Sequence, residues 1–342
     1  MSILRPAPAR EGRSAPAGAP GAGAGSGQGR TRRPARSALG MRRPPSARIL
    51  SLPSRLTMWG GLGVGLAVYA IFGIAPVLGN IAISLTDYSG LAGSSTTFSG
   101  FTNYVDLVTS QRPGFISSLI ATVFFVVGVT VVQNVIGLAL AHRLQGQGAS
   151  ANLLRILAFL PIVLGVTVVG LIWLLLFDPS DSPGTAIFGA IGIHSAFFGS
   201  DGAAMPLVIT VQVWQNLGFT MVVFIGGLKA IPREIYEAAS MDGVSGWRRF
   251  RAITWPLMAP TVSVNVLFAV VGSFTTYNLI YVLTDGQFGT DTLGMLAFNS
   301  AFGTSANLGF GAAVTVVLLV VTIIIALPLS ALLRARERRI LA

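Results

Sequence analysis

The sequence contains no cysteine. That removes disulfides, thiolate nucleophiles and thiolate metal sites together. Histidine is nearly as scarce. His142 and His194 are the two in the chain, they lie far apart and they flank different apolar stretches, so neither reads as a metal ligand. Charge is the third deficit: Asp, Glu, Lys and Arg make up 10% of the 342 residues. Soluble domains carry about 25%, and the mean hydropathy here is +0.72, so lipid is the expected solvent for most of the chain. Lysine occurs once, at Lys229, and Ala230 follows it. A phosphate-cradling loop needs Gly-Lys followed by Ser or Thr, which excludes that nucleotide-binding motif. No Ser/His/Asp grouping or closely spaced carboxylate pair falls in a common compartment, so the chain does not read as an enzyme by itself.

What the chain does have is length in its apolar runs. Six stretches exceed the ~20 residues needed to cross a bilayer. They are Leu56–Leu85, Phe115–Ala141, Ile156–Phe177, Met205–Leu228, Leu257–Leu283 and Leu308–Leu333. Pro76, Pro161, Pro260 and Pro328 fall inside or near the ends of these spans, where neighbouring helices or water can satisfy the freed carbonyls. None of the twelve acidic side chains falls within the middle of a span. Proton-coupled carriers use intramembrane carboxylates or histidines to hold the coupling charge, so that class fits poorly; a sodium-coupled carrier built on backbone carbonyls stays open. Thr185–Phe198 and Thr292–Phe302 are semi-apolar but too short to span, and are expected as short external or interfacial helices.

Basic residues set the orientation. With a cytoplasmic N-terminus, segments 1–55, 142–155, 229–256 and 334–342 are cytoplasmic and hold 22 of the 23 Lys and Arg, leaving Arg112 outside. Asp87, Asp106, Asp178, Asp181, Asp201, Asp285 and Asp291 then lie in external loops. The fold expected is an all-α membrane protein with six transmembrane helices over 51–342 and both termini in the cytoplasm. The net charge of +11 is thus a topology signal, not a nucleic-acid one, and eleven of the basic residues lie in the first 55 positions. Residues 1–50 are rich in Arg, Pro, Gly, Ala and Ser, with Glu11 the one acid. They cannot build a core and read as a disordered basic cytoplasmic tail that touches anionic membrane lipid; a transit peptide is the alternative reading.

The loop between spans four and five, 229–256, reads KAIPREIYEAASMDGVSGWRRFRAITWP. Pro232 suits the first turn of a helix, Glu234 and Glu237 sit near its positive end, and Gly243 is placed to end it through a left-handed cap. About three turns result, with Ile235, Ala238, Ala239 and Met241 offering a small-residue apolar face. A helix of this kind held between two spans can seat in a groove on another protein; a solvated loop helix is the plain alternative.

Spacing adds to this. Glu237-Ala238-Ala239, three residues, Gly243, nine residues, Ile253, one residue, then Trp255-Pro256 resembles the EAA loop of bacterial binding-protein-dependent ABC importer permeases. Every anchor of that pattern is present except a Leu, replaced by Trp255. Gly100-Phe101-Thr102-Asn103-Tyr104, Phe159-Leu160-Pro161, Trp173 with Phe177, and Gly227–Pro232 are similar to segments of the MalF-like carbohydrate branch. So is Leu283–Gly286 with Thr290 and Thr292, although Gln287 and Phe288 depart from the pattern. The similarity covers about residues 56–335.

The resemblance implies an importer type I permease fold with no ATPase of its own. It implies a second, homologous permease forming a heterodimer, two ATPase subunits that bind ATP and Mg, and an extracytoplasmic solute-binding protein, all at a bacterial inner membrane. No cofactor, metal or nucleic acid is implied for this chain. Residues 232–243 would be the coupling helix, and Glu237, Ala238, Ala239, Asp242, Gly243, Ile253 and Pro256 its ATPase-coupling residues. A substrate path would be lined by polar side chains of spans four and five: Gln212, Asn216, Ser273, Thr275, Thr276 and Tyr277. Hydrogen-bonding and aromatic groups of this kind suit a neutral sugar, but small polar residues also hold membrane helices together. Gln133, Asn134 and Gln215 are open to either role, and the Gly61–Gly65 pair reads as helix packing within a complex. A stand-alone secondary transporter and a membrane scaffold or receptor remain the alternative classes.

Overall fold

Long apolar runs have one economical way to satisfy their backbone in lipid, which is helix. The computed structural model describes residues 52–341 apart from 92, 94, 95, 110–113, 147, 179–181, 193, 194 and 305. The basic tail 1–50, Arg112, Asp181 and His194 lie outside the described residues. Among those described, β pairing is limited to an isolated bridge between Thr86 and Phe98.

The chain opens with α1 (Leu52–Tyr69), which runs through one π-helical turn (Ala70–Ile74) into α2 (Ala75–Ser84). Short α3 (Thr102–Thr109) precedes the long α4 (Phe115–Leu144). Then come α5 (Ala149–Val163), α6 (Val166–Leu176), α7 (Pro183–Ala190) and the long α8 (Ala204–Ala230). The inter-span loop holds α9 (Arg233–Met241), α10 (Gly246–Arg249), a second π-helical turn (Phe250–Thr254) and α11 (Trp255–Leu257). The chain continues with α12 (Ala259–Thr275), α13 (Asn278–Thr284), α14 (Leu293–Phe302) and α15 (Leu308–Leu341).

Both π turns stand directly before an X-Pro step. Ala75 donates its N–H to Ala70 and Trp255 to Phe250, five residues back, immediately ahead of Pro76 and Pro256. A proline ring clashes with the carbonyl four residues earlier. Widening the turn by one residue relieves the clash without ending the helix.

Four helices are long and apolar enough to cross a membrane: Trp59–Ser84, Phe115–Leu144, Ala204–Ala230 and Leu308–Ile340. The third and fifth expected spans are broken rather than continuous. Between α5 and α6 the chain turns by 103° at Leu164–Gly165, both extended, and between α11 and α12 it turns by 70° at Met258. A further interruption at Thr276–Tyr277 separates α13 from α12. The reason is visible at the first break: Gln215 of α8 donates through Nε2 to the Leu164 carbonyl at 3.3 Å, replacing a lost helical bond.

The bundle is organised on α4 and α8. Gln133 Nε2 donates to Thr220 Oγ1 at 2.6 Å between them, and Asn265 Nδ2 of α12 reaches the Thr220 carbonyl at 3.4 Å. At Gly218 an added Cβ would overlap the Ala158 carbonyl, so α5 lies directly on the α8 backbone. The segments beyond the breaks, α6 and α13, pack together at Gly170, where a Cβ would stand 2.5 Å from Val282. Of the four apolar clusters among the described residues, one around Phe125, Val208, Leu279 and Ile280 and another around Ala141, Met221, Phe224 and Met258 lie at opposite ends of α4 and α8.

The two short semi-apolar segments contain short helices, α7 and α14. Leu293, Met295 and Ala297 of α14 are buried, so it is wedged into the bundle instead of lying on its surface. The segment 100–104 also gains a physical reason. Asn103 is buried on α3 and donates to the carbonyls of Ser84 and Thr86 at 2.9 and 2.8 Å, closing the open end of α2. Of the Gly61–Gly65 pair, Gly65 has no described residue within 4 Å of a Cβ built there, which leaves that face free for packing within a complex.

Candidate functional site

The 229–256 loop begins where α8 ends. Ile231 is extended (ψ 121°), the conformation that a following proline favours. Pro232 then occupies the cap position (φ −57°, ψ 139°), one residue before α9 and not within its first turn. Its missing N–H costs nothing at either place, so the sequence could not separate the two.

The C-terminal end is closed by a paired backbone motif. Val244 N–H donates to the Ala239 carbonyl at 2.9 Å and Gly243 N–H to Ser240 at 3.1 Å, the reciprocal bonds of a Schellman cap. Gly243 has φ +71° with open space around it. The glycine is therefore required by backbone conformation rather than by crowding. Asp242 is the last residue before it, φ −79° and ψ 5°, and is exposed.

The expected apolar face of α9 divides in two. Ala239 is buried, and Ile235 and Tyr236 pack on the core formed by Ala141, Leu144, Phe224 and Ile231. Ala238 is exposed and Met241 is 89% exposed. Arg233, Glu237 and Met241 recur at every fourth residue and so share the outward face. Arg233 Nε meets Glu237 Oε1 at 3.0 Å, with the side chains 89% and 63% exposed. A pair this exposed contributes at most about 0.5 kcal/mol, so it orients Glu237 more than it stabilises the helix.

The return to the bundle is tied back to α9. Tyr236 Oη and Thr254 Oγ1 lie 3.4 Å apart, and the Arg249 guanidinium stands 5.6 Å over the Tyr236 ring. Ile253 and Pro256 are half-buried on this segment. Trp255, at the position that departs from the pattern, faces the Arg336 guanidinium of α15 at 5.5 Å and Phe250 at 6.3 Å. The loop is thus a rigid corner whose outer face carries Glu237, Ala238, Met241 and Asp242.

The polar residues of the spans are arranged differently. Asn216 Nδ2 donates to the Gln212 carbonyl at 3.0 Å, on its own helix. Thr275 and Thr276 both donate to the Gly272 carbonyl, at 3.0 and 2.9 Å. Ser273 is buried with its Oγ unpartnered. Tyr277 is 40% exposed and stacks on Phe298 at 5.1 Å. Among the described residues no hydrogen bond joins Gln212 or Asn216 to the 273–277 group. Thr276 and Tyr277 do stand at the interruption between α12 and α13, where backbone groups are released from the helix. Gln215 and Thr220 were visible in the sequence only as polar residues in an apolar span; their work as bridges depends on partners far along the chain.

Two aspartates in the connecting loops sit in opposite environments. Asp87 accepts from the Thr97 hydroxyl at 2.7 Å and the Thr97 N–H at 2.5 Å, which hold its carboxyl below the usual range. Burial pushes Asp291 up to about 6, partly offset by a hydrogen bond from Ser118 Oγ at 3.0 Å.

Residues 133–341 match the family described as binding-protein-dependent transport system inner membrane component. The chain is 32% identical over 267 residues to the probable ABC transporter permease protein YurN of Bacillus subtilis, covering 76% of this chain and 90% of that one. It is 30% identical to the diacetylchitobiose uptake system permease protein NgcF of Streptomyces coelicolor, covering 86% and 87%. A subunit in the crystal structure of a bacterial alginate ABC transporter, in complex with an alginate pentasaccharide-bound periplasmic protein, superposes with a TM-score of 0.70 at 18% identity, over 84% of this chain and 96% of that one. The match to the family spans both the broken helices and the 229–256 corner, and the chain belongs to the binding-protein-dependent transport system inner membrane components, the permease subunits of ABC importers.

Proposed function

We propose that this permease carries a sugar or related small polar solute inward, and that 229–256 is the joint through which separate ATPases drive it. The observation that carries the reading is the corner itself. A helix nine residues long is fixed to α4 and α8 on one side and presents Glu237, Ala238 and Met241 on the other, exposed among the described residues. An exposed methionine on a rigidly capped helix suits a groove on a partner. Two ATPase subunits, binding ATP and Mg, would receive this helix, with Asp242 and Gly243 setting its end and Ile253 and Pro256 carrying the motion into α12. A second homologous permease would complete the translocation path, and a solute-binding protein would deliver substrate from outside.

The orientation belongs to the same reading. If each bent pair is one span, the described residues hold six, and the distribution of arginine supports a cytoplasmic side for both termini and the corner at a bacterial inner membrane. Sugar as the substrate class is supported by the diacetylchitobiose system named for NgcF and the trehalose/maltose system named for MalF of Thermococcus litoralis. Of the path residues, Ser273, whose buried Oγ is unpartnered, and Tyr277, at the α12–α13 interruption, are favoured over Asn216, Thr275 and Thr276, whose side chains are turned onto their own helices.

The test is uptake of radiolabelled sugars into proteoliposomes containing this chain with its second permease, ATPase and binding protein. Uptake that requires ATP and every partner supports the proposal. Uptake by this chain alone in an ion gradient would make it a secondary transporter and overturn the proposal.

A further inference from the structure

A cavity of about 970 Å³ opens between the C-terminal end of α4 and the segment returning from the 229–256 corner. Its lining changes chemistry along its length. Val135, Leu138 and Ala139 of α4 make one wall apolar, and Val135 is 63% exposed, so this wall opens sideways off the span. Further along α4 come His142 and Arg143, and Arg249 and Arg251 of the returning segment line the same cavity. The aromatic zone adjoins α4 at His142, whose ring meets Phe250 at 6.0 Å; Trp247 stacks on Phe250 at 5.1 Å, and Trp255 also lines the cavity. The lining contains no Asp or Glu. Among the described residues no carboxylate is within ion-pairing distance of Arg143, Arg249 or Arg251.

We propose that this cavity binds an anionic phospholipid, with the headgroup phosphate on the three guanidiniums and an acyl chain along Val135 and Leu138. The three zones follow the order in which a bilayer presents its own chemistry: hydrocarbon, then an aromatic belt, then cations at the phosphate level. A soluble anion would satisfy the arginines and leave the apolar wall wet. A zwitterionic lipid would bring its ammonium against three cations. The arginine-rich segment 1–50 carries the same sign as the site and is excluded as its occupant. Because Tyr236 of α9 also lines the cavity, the lipid would touch the helix that forms the corner. The site requires a membrane but neither a particular orientation nor the sugar-import reading.

The experiment is native mass spectrometry of the assembled complex released from nanodiscs holding equal amounts of phosphatidylglycerol and phosphatidylcholine. The wild-type complex is expected to retain phosphatidylglycerol selectively, and that comparison needs no variant. Equal retention of the two lipids overturns the proposal. In R143Q/R251Q, each lost cation at an anionic surface costs roughly fivefold, so phosphatidylglycerol retention is expected to fall about twenty-five-fold, with phosphatidylcholine unchanged. R143K/R251K, which keeps the charge and the length, is expected to retain the lipid. Unchanged retention in R143Q/R251Q overturns the proposal, as does displacement of the lipid by millimolar inorganic phosphate, which would assign the site to a soluble anion.

Discussion

The charged side chains of α9 face away from the protein, while the polar ones of α8 and α12 turn inward or onto their own backbones. Arg233 and Glu237 pair at the surface beside an uncovered Met241. Gln215 and Asn265 are spent on carbonyls at helix contacts, and Asn216, Thr275 and Thr276 on their own helices. Burial explains the difference. Away from water an unmet donor or acceptor costs about 1–3 kcal/mol, so span residues find partners within the chain wherever geometry allows. At the corner water is present, nothing compels internal pairing, and outward-facing groups remain for a partner. A polar residue in a span is therefore weak evidence of a ligand, whereas a rigid helix with an uncovered apolar side chain is stronger evidence of a docking partner.

The largest effect should come from breaking the corner's backbone. Proline fixes φ near −65°, whereas Gly243 stands at +71° and donates to Ser240. Gly243→Pro is expected to abolish ATP-dependent uptake in proteoliposomes with membrane insertion unchanged, whereas Gly243→Asn, which tolerates the left-handed region, should retain it. Next is Glu237→Arg. The exposed ion pair contributes little stability, so thermal unfolding should stay at the wild-type midpoint while co-purification of the ATPase falls severely. Loss of folding would instead mean the outward face is structural.

Gln215→Ala acts on the other side of the comparison. It strands the Leu164 carbonyl at the α5–α6 break, and a loss of about 1–3 kcal/mol is expected in denaturant unfolding, with ATPase association intact. Asp291→Asn should differ from these in depending on pH. The folded carboxyl titrates at about 6 against an ordinary value of 3.8, so the native state binds the proton more tightly between those values. That contribution grows as pH falls from about 7 to about 4 and is absent at higher pH, where the buried charge opposes folding. Unfolding midpoints measured across this window should show the variant gaining on wild type at neutral pH and losing the advantage in acid.

Legibility followed range. Gly243 was readable because a helix stop is decided by a few neighbouring residues, and its left-handed φ follows. The apolar lengths were readable because hydropathy reports solvent. The breaks were not, because hydropathy is blind to backbone continuity: the interruption at Leu164 is met by Gln215, fifty-one positions away. Which half of α9 turns inward was not legible for a similar reason. Ile235 and Tyr236 pack on the ends of α4 and α8 because those helices are there, and nothing within nine residues says which side they occupy. Candidate path residues were legible as polar and illegible as to direction, since threonine has the same composition whether its hydroxyl meets a ligand or the carbonyl four residues back.

The interruption at Thr276 has a mechanical meaning. An α-helix resists torsion because each hydrogen bond ties one turn to the next, and that ladder stops where Thr276 is extended (ψ 111°). Rotation of α12 about its axis is then not transmitted as rotation into α13, while a push along the axis still is. The same insulation exists at Leu164–Gly165 between α5 and α6. The packed pair α6–α13 consequently sits between two interruptions across which helix rotation is not passed on.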